Sequence, residues 1–213
     1  MGHRKERKKI LYVPSTHEIF YCLCGMPSYC KILAAQMIDK PYSDFLRWLI
    51  ANDFYNERTE KISISKMAND CKSESSKVTK WIREIYEGIF ELNYDKLELF
   101  QEDGLKLTMY IQHYDDDCTI STALSVMPRE FETFRFPFVK GKVGTDNFWV
   151  KKVEHQVEED RQTVTLWLDG GTLNKYREYA LDKALFQGWI HFMDIYEKHS
   201  FELDAKIKEI YRN

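Results

Sequence analysis

The apolar residues of this 213-residue chain change their spacing twice, and this change restricts the fold more than any other feature of the sequence. Between residues 43 and 90 they recur every three or four positions, which is the period of an amphipathic helix. From residue 97 to residue 168 they alternate as in half-buried strands, and helical spacing returns after residue 172. The chain is therefore predicted to be an α+β protein with N-terminal helices, an antiparallel β-sheet and C-terminal helices.

Composition restricts the class of protein. The formal net charge is −3, so a nucleic-acid site would have to be a local basic patch. Aromatic residues make up 15% of the chain, which indicates a dense core or an additional protein interface. The odd cysteine count does not suit a secreted disulfide framework, and no apolar run is long enough for a membrane span. We expect a cytoplasmic protein that uses no cofactor, does not insert into a membrane and is not an enzyme.

Before residue 65 the sequence predicts short strands and then helices. Residues 10–25 are interpreted as strands interrupted at Pro14, and residues 28–38 as a helix. Residues 42–55 have helical spacing, with Ser43 as a candidate N-cap.

Residues 97–111 are predicted to form a β-hairpin. A three-residue turn with Gly104 in the left-handed position would place Leu97 and Leu99 on the same face as Leu107 and Met109. A two-residue turn would put them on opposite faces, so the longer turn is preferred.

Further strands and helices follow. Alternating Phe residues predict a strand over 133–139, in which Pro137 indicates an edge or a bulge. Residues 148–157 and 163–168 are predicted to pair as a second hairpin, and residues 173–199 to form one helix before a short terminal helix. The aromatic side chains of that long helix are interpreted as core; as an alternative they would be contacts in a homodimer, through Trp189, Phe192 and Tyr196.

The spacing of small and apolar residues over 64–83 has the pattern of two helices crossing at a tight turn. Ala68 is small enough for a second helix to cross it, and Met67 precedes it. Val78 follows Ala68 by ten residues, and Trp81 shares its helical face. Either Ser73 or Ser75 would cap the second helix, and Cys71 would end the first.

With these residues the chain resembles the helix-turn-helix regulators of prokaryotes, and the hairpin after the second helix resembles the wing of a winged-helix domain. The resemblance covers about residues 43–112. Lys72 stands at the turn position that usually holds Gly, so a left-handed conformation is expected there at a cost of about 1 kcal/mol. The resemblance implies a domain over residues 1–112, and residues 113–213 would form a dimerisation or effector region.

By the same resemblance, helix 75–90 would enter the major groove of double-stranded DNA, in a regulator of transcription or replication. Lys77, Lys80 and Arg83 are spaced to form a basic ridge opposite the apolar face. The expected DNA-binding residues are Ser75, Ser76, Lys77, Thr79, Lys80, Arg83, Lys72 and Lys66. The alternative is a structural or adaptor protein that uses the same surface to contact other proteins.

Three other clusters of charged or metal-ligating side chains occur in the chain. Residues 1–9 carry five basic side chains and would be either a solvated tail or an arm that reaches phosphates. The run 114–117 fits a Tyr-x-Asp-Asp pattern that pairs carboxylates for metal ions, but an exposed turn between strands is preferred. Cys22, Cys24 and Cys30 near His17 lack the usual zinc spacing and are interpreted as buried packing residues, and His155 as a structural strand residue.

Overall fold

Helices at both ends of the chain flank a central series of strands. The computed structural model describes residues 11–52, 54, 62–101, 103–159 and 161–212. The helices are α1 (Thr16–Cys24), α2 (Pro27–Gln36), α3 (Ser43–Ala51), α4 (Ile64–Asp70), α5 (Ser75–Asp95), α6 (Lys140–Val143), α7 (Lys175–Phe186), α8 (Phe192–Glu197) and α9 (Ser200–Ile210). The strands are β1 (Leu105–His113), β2 (Asp116–Leu124), β3 (Thr133–Arg135), β4 (Asn147–Glu158) and β5 (Arg161–Gly170). Among the described helices, none has both the length and the apolar character needed to cross a bilayer.

The described strands form one mixed sheet in the order β2-β1-β5-β4-β3. The predicted α+β class is confirmed, and so is the second hairpin, β4–β5. The sheet is not wholly antiparallel, because β1 and β5 run parallel with Met109 opposite Leu166. This pairing places β1 inside the sheet, with a neighbour on each side.

The predicted pairing of Leu97 and Leu99 with β1 is wrong. Residues Leu97–Phe100 form a 3₁₀ turn, and β1 pairs instead with β2 in an antiparallel hairpin. Both edges of β1 are occupied by β2 and β5, so no edge is left for a further strand. The 3₁₀ turn buries Phe100 edge-on against Tyr29, with ring centroids 5.0 Å apart.

The strands predicted before residue 25 are also wrong, because residues 16–24 form α1. Ser15 accepts a hydrogen bond from the backbone of Glu18, and the Glu18 carboxylate accepts one from the backbone of Ser15. These reciprocal bonds are a capping box, which satisfies backbone donors at the helix start. The helix then buries Ile19, Phe20 and Leu23 in the core.

The helices predicted over 28–38 and 42–55 are confirmed as α2 and α3, with shorter bounds. Ser43 is not the N-cap of α3, a position held by Tyr42. The Ser43 hydroxyl instead donates to the carbonyls of Ile38 and Lys40 in the preceding loop. The strand predicted over 133–139 is reduced to β3 at the sheet edge, since Pro137 opens a 3₁₀ turn.

One apolar cluster joins the N-terminal helices to the sheet. It extends in sequence from Ile19 to Leu168. Tyr86 of α5 stands at its centre and donates a hydrogen bond of 2.7 Å to the carbonyl oxygen of Phe138. Gly141 lies so close to Tyr86 that a Cβ added there would meet the ring at 2.9 Å. The division expected at 112/113 falls at the end of β1, within a sheet and a core that continue on both sides of it.

A second, smaller cluster belongs to the C-terminal helices. Its buried residues are Ala180, Ala184, Ile190, Leu203 and Ile207. The single helix predicted over 173–199 is wrong, because α7 ends at Phe186 and α8 begins at Phe192. Gly188 adopts φ +71°, and the N–H groups of Gly188 and Trp189 bond to the carbonyls of Leu185 and Ala184. This is a Schellman ending, which Gly adopts without steric cost.

Candidate nucleic-acid interface

Helices α4 and α5 are joined by the four residues 71–74. Ser63 caps α4 by accepting a hydrogen bond from the backbone N–H of Lys66. Lys72 has φ +49°, so the expected left-handed conformation at the turn is confirmed. Neither Ser73 nor Ser75 caps α5, because the N-cap position is Glu74 and no side chain caps the helix there.

The inner face of α5 is fixed in the core. Val78 and Ile82 are fully buried, together with Met67 of α4. Trp81 is half-buried and its ring lies 6.3 Å from that of Phe45 in α3. Since these contacts determine how α5 is rotated about its axis, they also determine which residues face solvent.

The outer face of the first turns of α5 carries the residues expected to contact DNA. Thr79 is half-buried, and all of the others are exposed: Ser75, Ser76, Lys77, Lys80 and Arg83, with Lys66 and Lys72 before them. No acidic residue occurs between positions 75 and 83. We call the outward-facing residues Ser75, Ser76, Lys77, Thr79, Lys80 and Arg83, with Lys66 and Lys72, the cationic surface.

Carboxylates border the cationic surface at both ends. Lys77 Nζ lies 3.1 Å from Glu74 Oε1, and Lys80 Nζ lies 3.5 Å from Glu84 Oε1. Exposed ion pairs of this kind contribute about 0–1 kcal/mol each, so a phosphate can compete for either lysine. Over residues 63–84 there are five basic and three acidic side chains, a local charge of +2 against −3 for the whole chain.

Arg83 is held by the chain segment that precedes α1. Its guanidinium donates to the carbonyl oxygen of Pro14 at 3.3 Å and lies 3.5 Å from Thr16 Oγ1. The same segment is attached to the β1–β2 hairpin, because the Tyr12 backbone N–H donates to Asp116 Oδ2 at 2.8 Å. Residues 11–16 therefore connect the cationic surface to the hairpin, a link that sequence reasoning missed.

The turn between β1 and β2 is acidic, with Asp115, Asp116 and Asp117 in succession. Asp115 has a nearly buried side chain whose Oδ2 lies 3.7 Å from His199 Nδ1. Asp116 binds the Tyr12 backbone and Asp117 is exposed. The carboxylates thus have separate surroundings, and no group of three metal-ligating side chains occurs within the described residues.

Glu18 and Tyr12 hold the connecting segment on α1. The Tyr12 hydroxyl donates to Glu18 Oε1 at 2.6 Å. This bond, with those from Ser15, lowers the pKa of Glu18 to about 2. Burial, with the same carboxylate nearby, raises the pKa of Tyr12 to about 12.

The cysteines near the N-terminus are packing residues, as expected. Cys22 and Cys24 lie on a helix, where residues two apart face different directions. Cys22, Cys24 and Cys30 are all buried, and none of them forms a disulfide. Burial raises the pKa of Cys22 to about 11 and that of Cys30 to about 12, so both stay protonated. His155 is exposed on β4 and its Nδ1 lies 2.9 Å from Gln162 Nε2 across the hairpin.

Residues 1–10, with the candidate basic arm, lie outside the described residues. Comparison of the chain with protein-family models, curated protein sequences and solved structures finds no match.

Proposed function

We propose that this protein binds double-stranded DNA through the cationic surface and acts as a regulator of transcription or replication. One observation carries the proposal: the buried face of α5 holds an acid-free set of cations and hydroxyls toward solvent. Lys and Arg neutralise phosphates, and an exposed helix fits the width of the major groove. Ser76, Thr79 and Arg83 are the candidates for contacts to bases.

The N-terminal segment is also rich in basic residues. Residues 1–9 carry Arg4, Lys5, Arg7, Lys8 and Lys9 and one acid, Glu6. They are joined to the described chain at Leu11, three residues before the Pro14 carbonyl that accepts from Arg83. We assign this basic stretch additional phosphate contacts from its sequence alone, because Lys and Arg neutralise phosphates.

Contact with an acidic protein is the second candidate function. The lysine–glutamate pairs at both ends of the cationic surface favour it, because mixed charges suit a protein partner as well as a phosphate. The two functions differ in their response to duplex DNA. Binding to DNA releases counterions and therefore falls steeply with added salt.

The experiment is a titration of a labelled duplex of mixed sequence with the full chain, followed by fluorescence anisotropy over a range of salt concentrations. The logarithm of the affinity is expected to fall linearly with the logarithm of the salt concentration. The variant Lys77→Ala/Lys80→Ala/Arg83→Ala is expected to reduce the slope by about 2 to 3, since each lost phosphate contact removes about 0.9.

A matched control removes the same charge elsewhere. Lys31, Lys40 and Lys208 are exposed and lie away from α5 in the sequence. The variant Lys31→Ala/Lys40→Ala/Lys208→Ala should keep the slope of the parent protein. An equal reduction of the salt slope in both triple variants would show a general charge effect. Absence of DNA binding at low salt would reject the DNA proposal and leave the protein partner as the remaining candidate.

A further inference from the structure

The C-terminal helices leave much of their aromatic surface uncovered. Trp189 and Phe192 were expected in the core, yet they are 45% and 60% exposed. The side chain of Tyr196 lies outside the described residues. Among the described residues, the cluster beneath these helices buries only five side chains, two of them alanines. A unit with so little buried area gains stability from covering more of its apolar surface.

The solvent-exposed face of α7 carries charged and aromatic side chains at regular helical spacing, and we call this face the stripe. Ala180 and Ala184 are its buried residues, so the opposite face is set by helical periodicity. That face carries Lys175, Tyr179, Asp182 and Phe186 at spacings of four, three and four residues, and all four are exposed. Tyr179 is 65% exposed and Phe186 is 92% exposed.

We infer that this stripe is a homodimer interface in which two copies of α7 pack antiparallel about a two-fold axis. In such a contact, if residue i faces residue j of the partner, then j faces i. The midpoint between Lys175 and Asp182 falls beside Tyr179. An axis there pairs each lysine with the aspartate of the other copy and stacks the two Tyr179 rings between the two ion pairs.

Charge complementarity favours a second copy of this chain as the partner that covers the stripe on α7. Lys175 and Asp182 are about 10.5 Å apart along one helix axis, which is too far for a pair within the helix. Across the two-fold axis, Lys175 of one copy lies opposite Asp182 of the other, so each charge has an oppositely charged neighbour. The region 172–212 has seven basic and seven acidic residues, so two copies meet without net repulsion.

The ends of the stripe extend the same interface. Phe186 would lie beyond the partner's Lys175, at the amino-terminal end of the partner's α7. On that side the Lys175 ammonium lies 5.7 Å from the ring centroid of Phe131. Phe131 is half exposed and has φ +70°, held by a 2.7 Å bond from its N–H to the Val150 carbonyl. The strained backbone at Phe131 exposes an aromatic ring at this point. In the dimer, the partner's Phe186 extends past Lys175 and would gain apolar contact with that ring.

The test is sedimentation velocity of the full chain without nucleic acid, over a concentration series. The parent protein is expected to shift from monomer to a species of twice the mass. Lys175→Glu and Asp182→Lys should each weaken the dimer at least about tenfold, because each sets like charges opposite one another. The double reversal Lys175→Glu/Asp182→Lys should return the dimer dissociation constant to within about threefold of the parent value.

A matched control is Lys208→Glu, which makes the same charge change on an exposed residue of α9 and should leave the dimer unchanged. A parent chain that stays monomeric at every concentration overturns the inference. A dimer that both single reversals leave intact, or that the double reversal fails to restore, also overturns it by showing a different interface. Since no nucleic acid is present, these results are independent of the DNA proposal.

Discussion

The first turns of α5 and its last turns belong to one helix but have opposite surroundings. Residues 75–83 have one buried face and present cations on the other. Residues 84–95 pack against the sheet and bury Tyr86, Ile89 and Asn93. Their outer side carries Glu84, Glu87 and Glu91. The difference shows how a single helix can bury one face along its whole length and still present cations on the outer face of one half and carboxylates on that of the other.

The largest expected difference in the free energy of unfolding is between variants on the inner face and on the outer face of the first half of α5. Ile82→Ala removes a fully buried side chain and should reduce the free energy of unfolding by about 3 kcal/mol. Lys80→Ala, two residues earlier on the outer face, should change it by no more than about 0.5 kcal/mol. Urea unfolding measures both, and similar losses in the two variants would contradict the assignment of faces.

The second prediction concerns the second half of α5. The Asn93 amide donates to the Ser121 carbonyl at 2.7 Å and accepts from the Ser121 N–H at 2.8 Å, as a neighbouring strand would. Asn93→Ala leaves both backbone groups of β2 buried without these bonds, so the free energy of unfolding should fall by about 2 kcal/mol. Tyr94→Ala, a change at an exposed neighbour, is the control and should cost little in the same unfolding assay.

The third prediction is a pH dependence at the segment that holds Arg83. The pKa of Glu18 in the folded protein is about 2, below its ordinary 4.5, so the carboxylate stabilises the fold above pH 4.5. That contribution is lost as the pH falls from about 4.5 to about 2. Glu18→Gln keeps a residue suited to a capping box but removes the charge.

The free energy of unfolding of Glu18→Gln should therefore be lower than that of the parent at pH 7, by on the order of 1 kcal/mol for this partly exposed group. The difference should shrink below pH 4.5, as thermal unfolding at several pH values would show. A constant difference down to pH 2 would mean that the charge of Glu18 does not stabilise the segment.

The smallest effect is expected at the turn before α5. Lys72→Gly relieves a side chain at φ +49° but makes the unfolded chain more flexible, so the net gain in stability should be about 0.5 kcal/mol. Lys72→Ala keeps the steric strain and should change stability less. Both variants remove one charge of the cationic surface, so both should lower the salt slope of DNA binding by about 1. Equal stability of the two variants would contradict the strained conformation.

The α4–turn–α5 segment was predictable from sequence because its determinants are local. Ala68, Lys72 and Val78 lie within eleven positions, and each constrains the same turn. The cap of α1 was equally local, since Ser15 and Glu18 have the Ser-x-x-Glu spacing of a capping box, but the apolar run before Pro14 favoured a strand. The break at Gly188 had the same kind of signal, a glycine inside a helical pattern.

The parts that could not be predicted depend on distant partners. Nothing near Met109 in the sequence specifies that it lies opposite Leu166 in a parallel pair. Once that pairing occupies β1, the alternating Leu97 and Leu99 have no strand to join and form a 3₁₀ turn. The bond from Arg83 to Pro14 also joins residues 69 positions apart, so the connecting segment had no local signal.

The most direct test of the central claim compares the two halves of α5 in one assay. An environment-sensitive dye is attached through Ser76→Cys or Glu91→Cys in a Cys71→Ser background, since the other described cysteines are buried. Both positions are exposed, one on the cationic surface and one on the acidic side. Duplex DNA at low salt should change the fluorescence of the dye at position 76 and leave the dye at position 91 unaffected. Equal responses at both positions, or a response at position 91 alone, would contradict the account.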